Sequence, residues 1–183
     1  MKALVLAAGA VACSLAYPAS AGISVLDGSF AEGCFKAAEQ RNVTLESMNT
    51  CDRAFSDQAL SDEDRLATHV NRGIVRMLRS DYGRAETDFS AAMQMNPQRS
   101  EPYLNMAILQ LRTGHSEAAV PLFSKAIELG TELPEVAYYG RGLAQEDVGN
   151  VKAAYADLKQ AVQLKPAWDA PRRDLARYKV SRP

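Results

Sequence analysis

The sequence predicts an all-α fold, a solenoid of antiparallel helix pairs, on three observations. Apolar residues recur at helical spacing, with no run that alternates β-branched and polar residues. Turn signals divide the chain into short segments. And the stretches YGRAETDFSAAMQMNP (82–97), GHSEAAVPLFSKAIELG (114–130) and GNVKAAYADLKQAVQLKP (149–166) read as one helix written three times.

In chain order, Lys2 precedes an apolar run from Ala3 to Ala16, followed by Tyr17-Pro18 and the small triplet Ala19-Ser20-Ala21. This is the layout of a secretory signal peptide over residues 1–21, cleaved after Ala21. The run is short of the roughly 20 residues that span a bilayer, so no integral membrane segment is expected after cleavage. Lipidation at Cys13 is disfavoured, because it would leave a signal of only twelve residues with Ala10 where a larger aliphatic is usual. The expected compartment is the bacterial periplasm, with secretion as the alternative. Cleavage would remove Lys2 from 21 basic residues set against 22 acidic ones, moving the formal charge from −1 to −2. Such a balance gives no footprint for nucleic acid or another polyion.

The register of the repeated helix rests on four columns. Ala85, Ala119 and Ala154 lie 34 and then 35 residues apart, as do Phe89, Phe123 and Leu158, and Ala92, Ala126 and Ala161. Gly73, Ala107 and Gly142 keep the same steps in the preceding helix. Small residues where helices cross let backbones approach, the large apolar residue fills the remaining space, and Pro97 and Pro166 stop the second helix of two units. One unit cannot bury its own apolar face, so neighbours must stack.

These columns resemble the tetratricopeptide repeat family, whose unit is a helix pair of about 34 residues. The resemblance covers roughly residues 64–180, within a repeat domain at 62–183 with units at about 66–99, 100–134 and 135–168 and a cap at 169–180. Within the cap, APRRDLARYKV (170–180) is expected to be a helix with Leu175, Ala176 and Tyr178 inward and Arg172, Arg173, Arg177 and Lys179 toward solvent. Departures from the family pattern are Arg72 and Arg141 in place of leucine, His69 in place of an aromatic, and Thr131 in place of proline. Each is expected to weaken one contact.

Residues 22–61 hold the apolar stretch GISVLDGSF and two cysteines. In each clear unit an inward position of the first helix precedes a large apolar position of the second by 17 residues, as Met106 precedes Phe123. Cys34 and Cys51 are also 17 apart. Residues 28–61 therefore read as a degenerate first unit, with helices SFAEGCFKAAEQ and TLESMNTCDRAF and Phe35 standing where a small residue belongs. That register brings the two sulfurs face to face, within reach of a disulfide. The alternatives are a redox-active pair, which usually has the C-x-x-C spacing, and a metal site, which needs about four ligands.

No phosphate loop, nucleophile elbow or H-E-x-x-H motif occurs. His69 reads as a packed core residue and His115 as a solvated turn residue with Ser116 capping the following helix. Asp62-Glu63-Asp64 open a helix, where the dipole favours acidic residues. A non-enzymatic protein without cofactor or metal is expected.

The resemblance implies that first helices line a concave groove that takes an extended peptide or a partner's helix. Carried over by position, the lining is Val70, Asn71 and Ile74, then Leu104, Asn105, Ile108 and Arg112, then Tyr139 and Leu143, with Arg173 and Arg177 on the cap. Asparagine can donate to and accept from a peptide backbone. The lysine arrangement with which some relatives hold a C-terminal carboxylate is missing. The expected role is an adaptor in the cell envelope with an unknown protein or peptide partner. Self-association, and occupation of the groove by the chain's own N-terminal segment, are further readings. The runner-up is a thiol-dependent accessory factor acting through Cys34 and Cys51.

Overall fold

The structure, a computed structural model, describes residues 29–57 and 59–178. The stretch expected to be a signal peptide, with Cys13 in it, the segment up to Gly28 and Lys179 lie outside the described residues. Among the described residues the order is α1 (Phe30–Glu39), α2 (Leu45–Ser56), α3 (Asp62–Leu78), α4 (Tyr82–Met95), α5 (Ser100–Arg112), α6 (Ser116–Glu128), α7 (Pro134–Asp147), α8 (Val151–Leu164) and α9 (Asp169–Leu175).

Local chemistry sets the boundaries. Ser29, Thr44 and Ser61 cap α1, α2 and α3 by accepting from the amides of Glu32, Ser47 and Asp64 at 3.0, 3.1 and 3.1 Å, each satisfying one orphan donor of a first turn. Pro97 and Pro166 follow the ends of α4 and α8. The unit that lacks this proline ends on Gly130 at φ 73°, and Thr131 is buried with its hydroxyl oxygen accepting from Leu133 N at 3.3 Å. Turns between paired helices pass through left-handed residues at Ser80, Gly114 and Gly149, at φ 64°, 81° and 82°. These are again 34 and 35 apart.

Three points differ from the sequence reading. His115, not Ser116, is the N-cap of α6; Ser116 is the first helical residue, buried, and donates its hydroxyl to Asp147 Oδ2 at 2.6 Å. The cap helix ends at Leu175, where the chain tightens into i→i+3 bonds from Arg177 N to Asp174 O and from Tyr178 N to Leu175 O, and Ala176 is exposed. Third, Arg72 and Arg141 do not weaken their units. Arg141 donates through Nε and Nη2 to the two oxygens of Asp157, both at 2.8 Å. Arg72 does the same to Asp88, through Nε at 3.1 Å and Nη2 at 2.8 Å. An apolar contact in the middle unit, where Met106 and Leu122 hold the same two positions, is replaced in its neighbours by a planar, two-pronged ion pair.

Packing follows the repeat order. α3, α5 and α7 each pair with the helix that follows, and α4 and α6 pack in turn on α5 and α7. Phe89, Phe123 and Leu158 are completely buried in these seams. A Cβ added to Gly73 would sit 2.5 Å from the Phe89 ring, and one added to Gly140 would sit 2.3 Å from the Phe123 ring. Each aromatic therefore occupies space that only glycine leaves open.

Candidate protein-interaction face

α1 and α2 form the predicted helical hairpin, and Cys34 and Cys51 are joined by a disulfide with their Cα atoms 4.6 Å apart. Their close approach lies at Gly33, where an added Cβ would meet Thr50 Cγ2 at 2.7 Å. Phe35, two residues on, is half-buried instead of sitting at the crossing. Both cysteines are fully buried, which takes the sulfurs away from the exposed, electropositive surroundings that make a thiolate reactive.

Both helices of the hairpin pack on α3. Cys34, Ala37, Ala38 and Cys51 share one apolar core with Leu66, Val70, Ile74 and Val75. Beside it runs a polar cluster. Asp88, 1% exposed, accepts from Arg72, from Arg76 Nη1 at 2.7 Å, and stands 3.0 Å from His69 Nδ1. Burial pushes the Asp88 carboxyl up, but hydrogen bonds from His69 and Arg72 and the charges of Arg72 and Arg76 outweigh it and hold the group below the usual carboxylate range. Arg72 and Arg76 also reach Asp52 of α2, at 2.9 and 3.3 Å, and the Arg72 guanidinium lies 4.1 Å over the Phe55 ring, which stacks at 4.5 Å on His69. His69 is thus a packed residue in an ionic seam, as its position implied.

Of the residues expected to line the groove, Val70, Asn71, Ile74, Leu104, Asn105, Ile108 and Tyr139 are buried, each at 7% exposure or less. Leu143 is half-buried, and Arg112, Arg173 and Arg177 are exposed. Arg177 is held by Glu146 at 2.8 Å and by Asp174 at 3.5 Å, whereas Arg112 and Arg173 form no ion pair among the described residues. Asn105 donates to the Glu101 carbonyl at 2.9 Å, and neither amide atom of Asn71 has a hydrogen-bond partner among the described residues. In the third unit the equivalent position is Gly140, which faces Phe123 of the preceding unit. That column belongs to the seam between units.

The cap closes the other end. Tyr139 donates its hydroxyl to Asp174 Oδ2 at 2.7 Å and packs edge-on against Trp168 at 4.9 Å. Burial and the Glu146 carboxylate push the Tyr178 hydroxyl up to about 12. Sequence reasoning missed Asp88, Asp157 and Trp168. The two aspartates carried a signal, since each follows its arginine by 16 residues.

No group of three His, Cys, Asp or Glu able to hold a metal ion occurs among the described residues, and no described helix is long and apolar enough to cross a membrane.

Repeating helix hairpins with a closed seam at each step define an α-solenoid of the kind that serves as an interaction scaffold. The tetratricopeptide repeat profile matches residues 136–167. Residues of this chain align at 30% identity over 115 positions with human serine/threonine-protein phosphatase 5, covering 63% of this chain and 22% of that protein. The chain thus spans about a fifth of the length of the curated relative it matches. Among solved structures, residues 41 to the end of MamA from Desulfovibrio magneticus RS-1 superpose with a TM-score of 0.66 at 18% identity, over 80% of this chain and 79% of that one. The TPR domain of Arabidopsis OM64 superposes with a TM-score of 0.59 at 21% identity, over 64% of this chain and 98% of that one. Residues 136–167 thus match one tetratricopeptide repeat, and the described chain has the fold of tetratricopeptide repeat domains.

Proposed function

We propose that this protein is a non-enzymatic adaptor of the cell envelope that holds a peptide or a partner's helix on the face formed by α5, α7 and α9. The observation that carries this reading is the pair of exposed arginines, Arg112 and Arg173, which form no ion pair among the described residues and which lie on α5 and α9, the helices before and after α7 with its half-buried Leu143 in the repeat order. A lone cation pair flanking an aliphatic side chain suits a segment with one apolar residue between acidic ones, since each charge meets its complement at the rim while the aliphatic contact is desolvated. The export signal read from residues 1–21 supports the envelope location, and the periplasm is the compartment that favours the Cys34–Cys51 bond.

The test is capture of a partner from envelope extract by cross-linking, comparing the wild-type chain with Leu143→Asp and with Arg112→Glu combined with Arg173→Glu. Loss of the same cross-linked species in both variants, with helical content unchanged, is the expected result. Retention in both places the binding surface elsewhere. Ile108 is unsuited to this test: at 4% exposure, an aspartate there would bury an unpaired charge and unfold the unit.

A further inference from the structure

We propose that the Cys34–Cys51 disulfide is a latch that keeps the α1–α2 hairpin seated as a cap on α3, and that reduction by a dithiol frees the hairpin and uncovers an apolar face without unfolding the repeats. Three observations lead there. First, α1 and α2 are 10 and 12 residues long, and isolated helices of that length are marginal in water, so the hairpin depends on its cross-link and its seat for order. Second, what the hairpin covers is continuous with the repeats: Leu66, Val70 and Ile74, at 4%, 1% and 5% exposure, share a core with Cys34, Ala37, Ala38 and Cys51. Third, the other attachments lie at the edge of the seat. Asp52, half exposed at 51%, takes the two arginine contacts, and Arg79 donates to the Val43 carbonyl. Ion pairs to a half-exposed carboxylate contribute little, which leaves the disulfide and the apolar seat, with the Phe55 ring between Arg72 and His69 at its margin, to hold the cap.

The chemistry balances simply. A dithiol gives two electrons and two protons to the Cys34–Cys51 bond and leaves as its own cyclic disulfide, and the protein keeps two thiols. Both cysteines are fully buried, so the exchange begins from transient openings of the hairpin, and once reduced the hairpin no longer has its loop closed in the open state. α4 through α8 are unaffected, because their seams are formed by Phe89, Phe123 and Leu158 and do not include the cysteines. α3 keeps its pairing with α4 through Asp88, Arg72 and Arg76. The face uncovered is the first turn of the solenoid, to which an amphipathic helix presenting small residues, as α1 does with Ala31, Cys34, Ala37 and Ala38, can add. This holds whichever partner the α5, α7 and α9 face takes.

Amide hydrogen exchange of the full chain, read by mass spectrometry, tests the latch in the oxidised protein, in the same protein after dithiothreitol, and in Cys34→Ser/Cys51→Ser. Exchange in 30–56 is expected to accelerate roughly 100-fold in both reduced forms, the factor set by losing closure of a loop of this size, with a smaller acceleration in 66–75 and none in 100–164. Unchanged protection in 30–56 would show that packing alone seats the hairpin, and acceleration spread evenly through 100–164 would show that the bond supports the whole fold; either overturns the latch. Asp52→Asn in the oxidised protein separates the polar contacts from the bond: protection within a few-fold of wild type is expected, and opening of the hairpin there would assign the latch to the ion pairs instead.

Discussion

Replacing Arg141 by methionine and Asp157 by leucine transplants the apolar contact of the middle unit, Met106 with Leu122, into the third. The pair is closed by two bonds of 2.8 Å, with a third from Arg141 Nη1 to Ser124 Oγ at 3.0 Å, and the side chains are 21% and 10% exposed. The hydrogen bond to Asp157 raises the Arg141 guanidinium above its ordinary value against the opposing effect of burial. Either single change leaves one charge in a mostly dry seam. Removing one partner of a buried pair costs about 3–5 kcal/mol, and partial access to water at Arg141 reduces this to about 2 kcal/mol for each single variant. With both charges gone there is nothing left unpaired, and the double variant should lie within about 1 kcal/mol of wild type. The coupling is then about 3 kcal/mol, the sum of the singles less the double. Urea unfolding followed by far-ultraviolet circular dichroism measures all four proteins. Singles that cost under about 0.5 kcal/mol would show that solvent already screens the pair, and a double variant no more stable than the worse single would show that the seam requires the arginine's shape.

Two further perturbations separate packing from charge. The Asp88 carboxyl is held below its ordinary range, so its contribution is complete above the unfolded carboxylate value and is lost as pH falls through the lower folded one. Stability should therefore drop as pH falls below the ordinary carboxylate range, and Asp88→Asn should be less stable near neutrality yet show a flatter slope there; an unchanged slope would assign the acid sensitivity to other carboxylates. Gly140→Ala puts a methyl 2.3 Å from the Phe123 ring and should cost about 1–3 kcal/mol by overpacking, whereas Gly83→Ala, with open space around it, should be neutral or stabilising by up to about 1 kcal/mol from helix propensity. Equal urea midpoints for the two variants would contradict the seam geometry.

Much of the fold was legible in the residues. The four columns at steps of 34 and 35 placed α3 to α8, and the 17-residue spacing of Cys34 and Cys51 placed the disulfide in a hairpin that local propensity alone does not announce. Phe35 looked out of register only because the crossing residue was taken from the repeats; α1 approaches α2 most closely at Gly33, two residues earlier, where there is no side chain to keep the helices apart. The candidate face was less legible. Position in a repeat says that Val70, Leu104 and Tyr139 point to the same side, but not whether neighbouring units leave that side open, and here they are buried.

The sequence by itself determined the period, the helix pairs and the covalent link, because these depend on spacing along one chain: helical pitch, a proline or left-handed residue at each stop, and two cysteines at the register of a helix crossing. Tertiary structure decided which polar residues became partners and which lining residues still meet water. Asp88 and Asp157 gain their partners only when the neighbouring helix brings Arg72 and Arg141 to them, and Asn71, a peptide-binding amide by position, is buried in the fold. Burial sums over every neighbouring element at once, and the charge state and hydrogen bonding of a side chain follow from burial, so they are fixed only when the units have stacked.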